Sequence, residues 1–128
     1  EYVRAKSLLS LSQRDAAYEL FTKLAKNPTD RYGAEAEYLL VQDKFDRAEY
    51  KAVEDLVYAF SDSGTKQNYW LARAFLVLGD SFAEQGDLRQ AKATFESVRD
   101  GYSPTSDTDD VPDNVKMRLE RLAEMGEI

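Results

Sequence analysis

The sequence has no cysteine and no histidine in its 128 residues. Without cysteine there is no disulfide framework and no thiolate metal site; without histidine the usual metal ligand and general base is missing as well. The lack of cysteine suits a reducing or an oxidising compartment equally, so it says nothing about location. Long apolar runs are also lacking. No run exceeds five residues, Phe75 to Leu78 lying in one of them, far below the ~20 that span a bilayer, so no direct membrane insertion is expected. Basic residues are outnumbered, with 17 lysines and arginines against 24 acidic residues and a net charge of −7. That balance disfavours nucleic acid and anionic lipid, so neither is expected as a partner.

What remains is material for a packed helical domain. Hydrophobic residues make up 43% of the chain, enough for a sizeable core at this length. Beginning at Glu1, without methionine and inside a helical pattern, the sequence reads as a piece of a longer or processed chain.

The informative stretch is Phe75 to Tyr102, FLVLGDSFAEQGDLRQAKATFESVRDGY. Phe75, Leu78, Gly79 and Phe82 fall on one helical stripe, and Ala91 and Phe95 on another. Gly79 and Ala91 are small where two antiparallel helices would cross, while the phenylalanines fill the space around the crossing. Gly86-Asp87 supplies the turn, the glycine free to take positive φ and the aspartate able to cap the second helix. This pattern resembles the helix-turn-helix unit of tetratricopeptide repeat proteins, whose period is ~34 residues. Such a pair cannot bury both its apolar faces and must stack on others.

Two further pairs are expected upstream. Val41, Val53 and Val57 precede Gly79, Ala91 and Phe95 by a constant 38 residues, and Ala17 precedes Val53 by 36. The resulting organisation is all-α: three tetratricopeptide-like helix pairs at about residues 1–28, 30–64 and 65–102, an acidic loop at 103–112 and a capping helix at 113–128. Trp70 either packs between the second and third pairs or is an exposed binding aromatic; its size favours packing.

The resemblance covers residues 1 to about 102 and implies a right-handed α-α superhelix whose first helices line a concave groove. It implies a non-enzymatic interaction scaffold that holds a protein or peptide segment. Carried over by position, the groove would present Lys6, Leu9 and Ser10 from the first pair. Glu35, Tyr38, Gln42, Phe45 and Asp46 would come from the second, and Arg73, Leu76, Asp80, Ala83 and Glu84 from the third. A partner would then bring an apolar anchor and basic residues, unless Tyr38 and Phe45 are core residues and the acids a solvated face. The segment Gly33 to Tyr102, with its GAEAEYLL and YWLARAF blocks, also looks like repeat proteins of Bacteroides-type bacteria and is similar to envelope repeat lipoproteins. That likeness implies the periplasm or the outer membrane. The alternatives are a structural spacer or cap of a longer array, and self-association through exposed solenoid ends.

Other constellations carry less. Asp107, Asp109, Asp110 and Asp113 invite a calcium loop, but the glycine and glutamate that an EF-hand needs are replaced by Pro112 and Arg118. Gly79-Asp80-Ser81 superficially resembles a hydrolase nucleophile motif, yet no histidine exists to activate Ser81. No catalytic residue, cofactor or metal is expected. Charge is uneven: residues 28–64 hold nine acidic residues against four basic, which makes the middle pair the expected docking surface for a basic partner.

Overall fold

A computed structural model of the chain describes residues 30–126, together with residues 22 and 23. Apart from residues 22 and 23, the expected first helix pair, with Lys6, Leu9 and Ser10, lies outside the described residues. The described residues form five helices and no strand: α1 (Arg31–Asp46), α2 (Tyr50–Asp62), α3 (Asn68–Glu84), α4 (Leu88–Gly101) and α5 (Val111–Glu124). None of these helices is long and apolar enough to cross a membrane.

Local chemistry sets the boundaries. The Asp30 carboxylate accepts the Tyr32 and Gly33 amides at 2.7 and 3.4 Å and caps α1. Between α1 and α2 the chain turns through Ala48, which takes φ 58°, a left-handed conformation uncommon outside glycine. Gly64 (φ 74°) and Gly86 (φ 82°) take the same region after α2 and α3 without that cost. The Asp87 carboxylate accepts the Gln90 amide at 3.2 Å and starts α4. The last helix begins at Val111, earlier than expected, with Pro112 inside it. A proline in the first turn forfeits only an amide that has no helical partner, so Pro112 opens the helix and does not belong to the loop.

The packing order is that of a solenoid. α1 packs on α2 and α3, α2 on α3, α3 on α4 and α5, and α4 on α5, so each step repeats the one before. One core runs through all five helices, from Ala34 and Val41 through Val53, Val57, Leu78 and Phe95 to Val115 and Leu122. At the crossing of α3 and α4, a methyl group on Gly79 would lie only 2.8 Å from Cδ1 and Cζ of Phe95, so the glycine is required by the ring. Ala91, expected to be small at the same crossing, is fully buried.

The helix α5 takes the place of a further first helix, but its outer face is different. Leu78, Gly79 and Phe82 of α3 are buried, whereas the residues 38 positions on, Lys116, Met117 and Glu120, are all exposed. With those side chains outward, α5 covers the core on one side and turns a largely polar face away from it.

Candidate functional site

The first helices α1 and α3, with α5 beside them, share one face, and the expected groove residues fall into two groups along it. Toward the start of α3, helical spacing sets Tyr69 and Arg73 one turn apart, and Tyr38, Gln42 and Asp46 follow one another at the same interval on α1. Arg73 joins the two rows. Its Nη1 donates to the Tyr69 hydroxyl at 2.9 Å and to Asp110 Oδ2 at 3.0 Å, and its Nη2 donates to the Tyr38 hydroxyl at 3.3 Å. The guanidinium also lies 5.1 and 5.7 Å from the Tyr38 and Tyr69 ring centroids, within cation–π reach. The Tyr69 hydroxyl donates to Asp110 Oδ1 at 2.8 Å. Tyr38 continues the chain to Gln42 Oε1 at 3.4 Å, and Gln42 Nε2 donates to Asp46 at 2.9 Å.

Partial burial works against the Arg73 charge, but the hydroxyls of Tyr38 and Tyr69 outweigh it and hold the guanidinium more firmly protonated than usual. Burial likewise pushes the Tyr69 phenol up. This end of the face is therefore a closed network in which Arg73 and Tyr38 are held by neighbours. Trp70 stacks beside it, its ring 5.6 Å from Tyr38 and 5.0 Å from Tyr69, which makes it a packing residue between the two helix pairs.

The loop before α5 is part of the same construction. Asp109 Oδ2 accepts the Tyr102 hydroxyl, the Thr105 amide at 2.9 Å and the Thr105 hydroxyl at 3.1 Å, while Oδ1 accepts the Val111 amide at 2.9 Å. Partial burial opposes ionisation of Asp109, but these donors prevail and lower its pKa. Asp110 then clips the loop to Tyr69 and Arg73. Two of the four carboxylates that suggested calcium, Asp109 and Asp110, thus serve as loop anchors.

Toward the other end of the face, Asp80 and Arg118 form a two-pronged ion pair, Nε to Oδ1 at 2.9 Å and Nη2 to Oδ2 at 3.0 Å. Arg118 also donates to the backbone and side-chain oxygens of Asn114. Beside this pair opens a cleft of about 250 Å³ lined by Phe45, Ala83, Phe95, Leu122 and Met125, with Asp80, Glu84, Arg118 and Arg121 at its charged positions. The structure therefore brings together Phe45, Asp80, Ala83 and Glu84 of the expected groove. Asp46 stays exposed on α1, tied to Gln42.

Two residues depart from expectation. Leu76 is only 3% exposed and belongs to the core, and Glu35 is 9% exposed, so neither offers a surface to a partner. The reason for Leu76 is crowding, since α3 packs against four other helices and keeps few open positions. Sequence reasoning missed Arg118, Arg121, Leu122 and Met125, because α5 was read only as a cover. A signal existed: Arg118 follows Asp80 by 38 residues, the interval that separates Gln42 from Asp80.

Comparison with known proteins agrees with this geometry over one hairpin. The tetratricopeptide repeat family model matches residues 69–104, which span α3, α4 and the turn between them. No curated protein and no solved structure matches the chain, so the likeness to Bacteroides-type repeat proteins gains no support. Tetratricopeptide repeats are generally non-catalytic and mediate contacts between proteins. The α3–α4 hairpin is a tetratricopeptide repeat in a stack that is all-helical among the described residues.

Proposed function

We propose that the chain is a non-enzymatic interaction module that holds a peptide or protein segment in the cleft at the C-terminal ends of α1, α3 and α5. The observation that carries this reading is the cleft itself. It is built jointly by α1, α3 and α5 with Phe95 of α4, and it sets the partly buried Phe45 beside the 54% exposed Met125. An apolar recess with polar groups at its edge is the usual form of a binding site on a rigid helical frame. At the other end of the same face Arg73 and Tyr38 fix α3 against α1, and Gln42 extends their network along α1.

The test is selection of random peptides on the immobilised chain, compared with Ala83→Arg. Ala83 is half-buried at the cleft, and a long side chain there fills the recess without removing a core residue. Peptides enriched by the wild type and lost by a variant with unchanged circular dichroism support the cleft. Peptides retained by that variant move the function to a spacer or cap of a longer array.

A further inference from the structure

The two walls of the cleft carry opposite charges that the fold leaves unused. Asp80 and Arg118 neutralise each other, but the side chains of Glu84 on α3 and Arg121 on α5 have no hydrogen bond or ion pair among the described residues. Glu84 stands in the last turn of α3, where the carbonyl ends of the helix are already negative and a carboxylate is unfavourable. No basic side chain in that turn relieves it. Helix stability therefore gives no reason for an acid at this position, whereas a cation brought by a partner does. Arg121 has the opposite sign on the α5 side of the same cleft, whose lining also includes Ala83, Leu122 and Met125.

We propose, resting on the reading of the cleft as the binding site, that its occupant is a segment of another protein with a dipolar pattern. An aliphatic side chain enters the cleft, a lysine or arginine on one side of it meets Glu84, and an aspartate or glutamate on the other side meets Arg121. The apolar side chain supplies the anchor, and the two flanking ion pairs fix the direction in which the segment lies.

The experiment selects random heptapeptides displayed on phage against the full 128-residue chain and reads the sequences that are enriched. The wild type enriches an aliphatic residue with a base on one side and an acid on the other. Glu84→Lys removes only the basic preference and Arg121→Glu only the acidic one, each weakening a wild-type-selected peptide roughly tenfold by setting like charges together. Both residues are exposed, so the fold is retained, as circular dichroism verifies. If both variants enrich the wild-type pattern while folded Ala83→Arg enriches nothing, the cleft stands and the charge assignment is overturned. If folded Ala83→Arg enriches the same peptides as the wild type, the cleft reading falls and takes this proposal with it. A wild type that enriches no peptide overturns both.

Discussion

The two described hairpins solve one packing problem with different residues. At the crossing of α3 and α4 the chain sets glycine against phenylalanine, Gly79 under the ring of Phe95, with Ala91 nearby. At the corresponding places in α1 and α2 it uses Val41, Val57 and Val53, all fully buried. A very small residue facing a very large one fills about the same space as two of middle size, and cores tolerate exchanges that conserve volume. The family model matches the first solution and not the second, though the helices pack in the same order. The hairpins also differ in what they bury: α1 encloses the carboxyl groups of Glu35, Glu37 and Asp43, whereas α3 encloses only the Ser81 hydroxyl.

The largest expected effect comes from mixing the two solutions. Gly79→Val drives a branched side chain into the Phe95 ring and should destabilise the protein by about 3 kcal/mol in denaturant titration. Adding Phe95→Val, which rebuilds the α1–α2 solution, should recover at least half of that loss. A double variant no better than the sum of its parts would break the equivalence of the hairpins.

Next in size is the buried acid of α1. Glu37 is 8% exposed, and burial pushes its pKa up to about 7 from an ordinary 4.5. A carboxyl raised on folding favours the folded state while protonated, so its cost is absent below about pH 4.5 and grows as pH rises through about 7. Glu37→Gln should therefore raise stability at pH 8 by on the order of 2 kcal/mol and leave stability at pH 4 nearly unchanged. Equal effects at both pH values would show that the carboxyl is not held neutral.

Smaller effects come from α5. Arg118→Gln breaks the two-pronged pair with Asp80 and should cost about 1–2 kcal/mol, with faster hydrogen exchange in α5 than in α4. Asp109→Asn weakens the loop anchor and should cost about 1 kcal/mol. The pH sign of Asp109 is opposite to that of Glu37. Its pKa is lowered on folding, so its contribution is present above the unfolded value and lost as pH falls through the folded one. Acid should thus loosen the loop before α5, visible as amide shifts at Thr105 and Val111, while relieving α1.

How much of this was legible in the sequence follows from the same contrast. The α3–α4 hairpin could be read outright, because a glycine beneath an aromatic ring leaves few other arrangements. The α1–α2 hairpin was legible only through the constant interval to it, since three valines at helical spacing suit many packings. The site was half legible. Phe45, Ala83 and Glu84 follow from the groove positions that the repeat resemblance carries over, but those do not reveal how many neighbours crowd a helix, and Leu76 was lost to that. The α5 contribution was hidden because its outer face lacks the small and aromatic residues that mark a repeat.

Arg73 and Asp80, seven residues apart on α3, each grip a residue of α5 or of the loop leading into it, Asp110 and Arg118. A helix held at one point can swivel about it, but one held at two points nearly two turns apart can neither rotate nor slide unless both are released. The distance between α3 and α5 across the cleft is thereby fixed as if by a bracket. A segment bound there as proposed would meet walls already at that separation, with little ordering of the protein left for the moment of contact.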